Sequence, residues 1–352
     1  MDITNGIFST VFQQLLAGVV LTLLTCLVGM KIATRFKLMD FPGVAPHKMH
    51  KAPMPYAGGI ALALSLSILS LLNLEWMTTE VRIMFSAAAV ILFFGIIDDA
   101  RRLSPLMKLA GQLLAAVILV ALGLQIRIFE TQTFFIGGSN LIYVWIDRIL
   151  TVFWIVGVTN AFNLVDSMDG LAVGLGAWAF TFFTLATIDS GQFHLTVKSA
   201  TMVGICIGIY FFNAPPARLF IGDSGAQTLG FLLATTAILY NPVDKYQTSS
   251  WLVPILLVGV PIFDTTLVTI SRIRRGLPIY SANRDHTYHR LVALGMDSNR
   301  AVLSMHITAL VLNCIAFIAM SMEPIWANGI FAVCLLIGGV LIYYLDRGFS
   351  RA

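Results

Sequence analysis

Charged side chains are scarce in this chain: Asp, Glu, Lys and Arg make up only 11% of its 352 residues. An ordinary soluble domain carries about 25%, so the sequence excludes a water-exposed globule and requires an apolar solvent for most of its length. Cysteine is nearly absent as well. The four present, Cys26, Cys206, Cys314 and Cys334, lie inside apolar runs with no paired spacing, which argues against both a disulfide framework and a zinc site. Internal repeats and low-complexity tracts are also missing. The first ten residues, MDITNGIFST, contain no Lys or Arg, and no small-residue cleavage site follows, so the first apolar run is expected to be a retained helix and not a signal peptide.

What the chain has is hydrophobicity: 58% of residues are apolar and the mean hydropathy is +0.85. Eleven runs, near 9–30, 57–74, 83–97, 106–123, 149–160, 171–188, 197–213, 226–240, 251–270, 301–320 and 325–345, are candidates to cross the ~30 Å hydrocarbon layer. Of the 22 Lys and Arg residues, 17 fall on one side of such an arrangement. The positive-inside rule then places the N-terminus outside and the C-terminus in the cytoplasm. The expected fold is all-α, a single polytopic membrane domain over 1–352, with one short outer β-hairpin near 124–147, where β-branched stretches flank IGGSN. The basic surplus lies beside anionic lipid, which makes nucleic acid a poor partner.

The rare polar residues are grouped. NAFNLVDSMDG at 160–170 sets Asn160, Asn163, Asp166 and Asp169 three residues apart between two apolar segments. On a helical turn that spacing keeps them on neighbouring parts of one face. Asp98 and Asp99 end the third run, where adjacent carboxylates are expensive unless a cation, proton or basic partner neutralises them; Arg101 and Arg102 could do so. Ser104-Pro105 marks a helix start with Lys108 on its first turn, placed for a phosphate. GDSG at 222–225 follows a Pro-rich turn, so that Asp223 is either a helix cap or a metal ligand. Asp264 lies within the ninth run, and the basic loop 271–300 carries His286 and His289 at i,i+3 beside Arg284. The loop with Lys48, His50 and Lys51 is, by itself, more simply a topology signal. Oxygen donors among cations suit Mg²⁺ or Mn²⁺ with a polyanionic substrate, and hence phosphoryl transfer.

Taken together and in order, HKMHKAPMPYAGG, DD at 98–99, NAFNLVDSMDG, FIGDSG, PIFDT and DHTYH resemble the polyprenyl-phosphate N-acetylhexosamine-1-phosphate transferases. Within these, the resemblance is nearest to the bacterial branch that joins GlcNAc-1-phosphate to undecaprenyl phosphate. It implies a multi-pass enzyme of the inner membrane with a cytoplasmic active site, taking UDP-GlcNAc and undecaprenyl phosphate and starting envelope polysaccharide synthesis. By the same resemblance Asn163 and Asp223 would ligate Mg²⁺, and Asp98 or Asp99 would deprotonate or orient the lipid phosphate. Asp166 and Asp169 would floor the site, and Lys108 would hold phosphate. Arg284, His286 and His289 would contact diphosphate and sugar, with Lys48, His50, Asn160 and Asp264 also lining the substrate. Two positions depart from the family pattern: Arg102 stands where a further acid is usual, and the last loop has His-x-x-His in place of a longer cluster. The apolar last runs leave room for a homodimer. The main rival from another class is an ion-coupled transporter, which predicts an inverted repeat and midplane charges.

Overall fold

The computed structural model describes residues 3–42, 52–74, 77–129, 141–242, 251–278 and 285–349. Thirteen helices form among them: α1 Ile3–Arg35, α2 Gly58–Leu72, α3 Thr79–Arg101, α4 Pro105–Ala121, α5 Leu141–Val165, α6 Leu171–Asp189, α7 Phe193–Asn213, α8 Gly222–Leu239, α9 Leu252–Leu257, α10 Gly259–Arg274, α11 Thr287–Ala293, α12 Ser298–Ala319 and α13 Pro324–Phe349. Seven of these, α1, α3, α5, α6, α7, α12 and α13, are long and apolar enough to cross a membrane, and α2 and α4 are shorter apolar helices. The protein is a multi-pass, all-α membrane protein. Every apolar run of the sequence falls on a helix, although the ninth is broken into α9 and α10 at Val258.

Local signals set several of the starts. The side chains of Thr78, Ser104 and Asp297 accept from the N–H groups of Val81, Met107 and Arg300, and Pro105 occupies the first turn of α4, where its missing N–H is harmless. Burial separates centre from rim: 78% of the apolar window of α7 and 72% of that of α6 lie inside the protein, against 6% for α13. With α8, the first two helices form the middle of the bundle, and α13 presents its apolar side chains outward.

The expected hairpin is not formed where it can be checked. Residues 141–147, its second arm, are the first two turns of α5, and 130–140 lie outside the described residues. The first arm is tied to that helix instead. Buried Asp147 accepts from the N–H groups of Ile128 and Phe129 at 3.2 and 3.1 Å, and Thr151 Oγ1 accepts from Ile126 N–H at 2.9 Å. Helix side chains thus satisfy the backbone that a strand partner would have satisfied. Among the described residues the one small sheet is elsewhere: β1 Met39–Asp40 pairs antiparallel with β2 Met54–Pro55, and Tyr56 bridges to Phe220. It anchors the loops at the end of the bundle where α3 finishes and α8 begins.

Candidate active site

The start of α8 is built for close approach. Gly222 has φ of +72°, a left-handed conformation that suits glycine, and a Cβ there would lie 2.7 Å from Asp99 Oδ2. Beside it, a Cβ on Gly59 of α2 or Gly95 of α3 would fall 2.2 Å from Ser224 Oγ or 2.4 Å from Ser224 Cα. Three helices therefore meet with little more than backbone between them. Into this junction α3 delivers Asp99. It accepts from Asp223 N–H at 2.7 Å and Ser224 N–H at 3.2 Å, and also from the Ser224 hydroxyl. No side chain of α8 caps its own N-terminus; the cap comes from a neighbouring helix, 124 residues away in sequence, with the negative charge that a helix N-terminus favours.

Asp98, one residue earlier, takes a different partner. Its Oδ1 accepts from Leu103 N–H at 2.7 Å, and its Oδ2 forms an ion pair with Lys108. Lys108 Nζ also lies 3.1 Å from Asp223 Oδ2, and the Asn163 amide donates to the other oxygen of Asp223. Neither Arg101 nor Arg102 is needed for neutralisation: the turn that places Lys108 on α4 supplies the cation. Asp98, Lys108, Asn163 and Asp223 form one connected group from α3, α4, α5 and α8. Exposure grades across it, from a side-chain value of 2% at Asp98 to 26% at Lys108 and 34% at Asp223, so the group opens on the Asp223 side.

The four polar residues of 160–170 do not share one face. Helix α5 ends at Val165, and within it a step of three residues turns by about 60° relative to the previous face. Asn160 takes partners other than Asp223. It exchanges hydrogen bonds with Gln112, at 2.6 and 3.2 Å, and Gln112 also donates to Gln227 at 3.0 Å. That is an amide lock between α4, α5 and α8, with Gln112 and Gln227 buried. Beyond the helix end, Asp169 accepts from Ala217 N–H at 3.1 Å, and Gly170 N–H donates to buried Asn213, which fixes the Pro-rich turn before α8. Asp166 is half-buried in the same junction. Burial first, and then the negative charges of Asp223, Asp99 and Asp169, push its pKa well above the usual carboxylate range.

A second group holds the last polar loop. Asp264 of α10 is buried and accepts from Thr287 N–H at 2.6 Å and pairs with His286 Nδ1 at 2.8 Å. It caps α11 from outside, as Asp99 caps α8. Asp285 is gripped by Arg272 through two hydrogen bonds of 2.8 and 3.0 Å and by Arg275 at 2.9 Å. Burial alone would raise the Asp285 pKa, but the two guanidiniums and His286 hold it below the usual range. Arg290 donates to the carbonyls of Asp285 and Leu345 and lies 3.5 Å from Asp346, which also binds Arg274. Arginines of this loop thus serve its shape, and the His289 ring stacks on Tyr288 with centroids 3.9 Å apart and stands 5.9 Å from His286. Lys48, His50 and Arg284 lie outside the described residues.

Sequence reading missed Tyr56, which sits on the loop bridging to Phe220. Burial and the carboxylates of Asp40, Asp99 and Asp223 all raise the pKa of its phenol, which therefore stays a proton donor beside the acidic group. The sequence signal there is the close-set Pro53, Pro55, Gly58 and Gly59, which points to a shaped backbone but not to the ring. Among the described residues no three His, Cys, Asp or Glu side chains form a ready cation cage.

Comparison with known proteins agrees with this arrangement. The profile of glycosyl transferase family 4 matches residues 81–241, the stretch from α3 through α8 that carries the first group. The chain is 31% identical over 92% of its length, and 89% of the relative's, to a Bacillus subtilis protein named "Probable undecaprenyl-phosphate N-acetylglucosaminyl 1-phosphate transferase". It is 30% identical to the decaprenyl-phosphate N-acetylglucosaminephosphotransferase of Mycobacterium tuberculosis, over 90% of this chain and 85% of that one. To the undecaprenyl-phosphate α-N-acetylglucosaminyl 1-phosphate transferase of Escherichia coli K12 it is 24% identical, over 88% and 84%. These relatives lend no support to a transporter. The chain belongs to glycosyl transferase family 4, as one of its polyprenyl-phosphate N-acetylhexosamine-1-phosphate transferases.

Proposed function

We propose that this enzyme transfers GlcNAc-1-phosphate from UDP-GlcNAc to undecaprenyl phosphate, releasing UMP and forming the lipid-linked sugar pyrophosphate that starts an envelope polysaccharide such as O-antigen or common antigen. The observation that carries the reading is the connected group Asp98, Lys108, Asn163 and Asp223 at one end of the bundle, in a chain whose relatives are named for this transfer. In the reaction an oxygen of the lipid phosphate attacks the β-phosphorus of the UDP-sugar. The new P–O bond forms as the bond from that phosphorus to the bridging oxygen breaks, and UMP leaves with that oxygen.

The donor chemistry suits Mg²⁺, or Mn²⁺ in its place. Asp223 and Asn163 offer adjacent oxygen-bearing groups on the exposed side of the site, and Mg²⁺ is commonly held by one or two carboxylates plus substrate phosphates, not by an all-protein cage. When bound there it would offset charge on the pyrophosphate. Lys108 adds a fixed positive charge next to Asp223. Both oxygens of Asp99 are engaged by the start of α8, and those of Asp98 by Leu103 N–H and Lys108. Asp98 is thus the one of the pair tied to the cation: it would orient the lipid phosphate through Lys108, or take a residual proton from it once Lys108 turns to the phosphate. Asp166 completes the polar floor, Asp169 supports it through the Pro-rich turn, and His286 and His289, with Arg284, Lys48 and His50 from loops of the same expected face, contact the nucleotide and sugar. Direct displacement is favoured because the acceptor is already an anion and chiefly needs positioning.

All eleven apolar runs are taken to span the inner membrane, with the N-terminus outside and the carboxylate end facing the cytoplasm, where UDP-sugars are made. The outward apolar side of α13 suits a homodimer contact. The test is the purified protein in detergent with undecaprenyl phosphate and either UDP-GlcNAc or UDP-GalNAc. UMP formation that needs Mg²⁺ and prefers UDP-GlcNAc is the expected result. A preference for UDP-GalNAc would replace the donor, and no UMP from any UDP-amino sugar would overturn the assignment. Stoichiometric UMP release without the lipid would replace direct displacement with a phospho-enzyme.

A further inference from the structure

At the opposite end of the bundle from the carboxylates is a cavity of ≈ 30 Å³ lined by Gln14, Ser70, Asn73, Phe85, Lys198 and Thr201, among others. Helix α2 measures the separation. It starts at Gly58, against Ile221 next to the site, and its 15 residues end at Leu72, beside Asn73, so the two places are about 20 Å apart. The other walls agree, since Phe85 lies early on α3 and Asp98 at its end, and Lys198 lies early on α7 and Asn213 at its end.

Lys198 is out of place there. It is half-buried, its Nζ is 3.5 Å from Met77 Sδ and 5.4 Å from the centre of the Phe85 ring, and among the described residues no carboxylate pairs with it. A sulfur atom and a ring face replace little of the hydration that an ammonium with three donors loses. The neutral groups around it are already organised: Gln14 donates to Asn73 Oδ1 at 2.8 Å, and Thr201 donates to Gln14 at 3.5 Å. Each of the two amides keeps a second N–H. The volume admits about two water-sized groups, the size of the two non-bridging oxygens that share the single charge of a phosphodiester. Large apolar side chains flank the polar wall on the outside of the bundle, with Phe12 of α1 exposed by 65% near Gln14 and Leu72 of α2 by 74% next to Asn73.

We propose that this cavity binds the phosphodiester of an anionic membrane phospholipid, with Lys198 as its charge partner, the Gln14 and Asn73 amides as further donors, and the acyl chains along α1 and α2. The ligand's phosphate chemistry is shared with free phosphate. A lipid is preferred because it arrives at this depth with its chains already matched to the apolar flank. The site is separate from the transfer chemistry and does not depend on the sugar donor.

The experiment uses the full chain in detergent, titrated with phosphatidylglycerol, with phosphatidylcholine and with inorganic phosphate, and reads thermal stability together with lipid retained in native mass spectra. Phosphatidylglycerol should raise the melting temperature and remain bound as one molecule. Lys198→Gln should move the half-saturating concentration up by about tenfold or more, as expected for loss of one charge-assisted hydrogen bond, and Lys198→Arg should restore it. Basal UMP release without added phospholipid should be unchanged in both variants. Should Lys198→Gln not be obtained folded, Gln14→Met at the opposite wall should give a weaker shift in the same direction. Equal phosphatidylglycerol response in wild type and Lys198→Gln would overturn the proposal and leave Lys198 as a side chain that only reaches toward the interface. A Lys198-dependent shift with inorganic phosphate at millimolar concentration or below, as large as that with phosphatidylglycerol, would overturn the lipid as its source.

Discussion

Asp99→Asn separates a structural carboxylate from a reacting one. Asp99 accepts three hydrogen bonds from the first residues of α8, and the replacement keeps only one accepting oxygen. The oxygen can still serve Asp223 N–H; the amide nitrogen then faces the Ser224 N–H donor against donor, while the Ser224 hydroxyl can turn to accept from it. Hydrogen bonds to a charged group contribute about 1.5–3 kcal/mol, and a negative charge at a partly buried helix N-terminus up to ~2 kcal/mol. These overlap, so the expected loss is about 2–4 kcal/mol, delivered at the point where α2, α3 and α8 are in backbone contact. Thermal unfolding in detergent, read by intrinsic fluorescence, should show a melting temperature lower by several degrees. UMP formation measured well below that temperature should also fall, because Asp223 is the second residue of the helix being released. Ser224→Ala removes a single donor and should give a smaller shift of the same kind. If Asp99→Asn melts with the wild type while losing all activity, the capping account is wrong and Asp99 acts on the substrate.

Asp223→Asn should abolish UMP release while leaving the melting temperature near wild type, since the neutral amide can still meet Asn163 and Lys108; retained turnover would remove Asp223 from the metal site. Gly95→Ala would put a methyl group 2.4 Å from Ser224 Cα, a backbone clash, and should lower the yield of folded protein in a size-exclusion assay, an outcome refuted by a normal elution profile. Asp285 contributes stability that is present above its unfolded pKa near 4 and is lost as pH falls through its lower folded value. The acid limb of a melting-temperature profile should therefore be shallower in Asp285→Asn, and that variant should be less stable at pH 7 by about 3–5 kcal/mol, because it leaves Arg272 buried without its partner. Tyr56→Phe keeps the ring and loses the hydroxyl that meets buried Asp40, so it should reduce turnover together with a modest fall in melting temperature; full activity would confine Tyr56 to a structural role.

The helices and the polar end of the bundle were legible in the sequence for a simple reason. Apolar runs in a chain with 11% charged residues admit few alternatives to a membrane helix, and any carboxylate interrupting them stands out. Asp98, Lys108, Asn163 and Asp223 do meet, as their grouping suggested. The strand arm expected at 141–147 failed where that logic is weakest. The β-branched and aromatic residues at 141–147 suit a strand by propensity, but Asp147 and Thr151, one helical turn apart, accept the backbone N–H groups of the preceding segment, and this tertiary demand overrides the local preference.

The division of labour among the carboxylates was hidden for a different reason. Asp98 and Asp99 are adjacent and chemically alike, yet successive helix positions differ by about 100°, so one faces Lys108 and the other the amides of α8. The same holds for Asp264, an intramembrane acid that looks like a substrate or ion ligand until Thr287 N–H and His286 are found against it. In both cases the acceptor and its donors come from different helices, and no local pattern joins them. Two helix starts near the proposed reaction, α8 with Asp223 and α11 beside His286, are held by a carboxylate from another helix. A charge at either cap is therefore tied to the position of groups assigned to the substrate, and substitution of Asp99 or Asp264 should act on turnover through geometry. Rescue separates this from chemistry: Asp264→Asn keeps one oxygen for Thr287 N–H and should retain part of the activity, whereas Asp264→Leu should retain none. Equal loss in the two would show that the charge itself, and not the cap, is what the site requires.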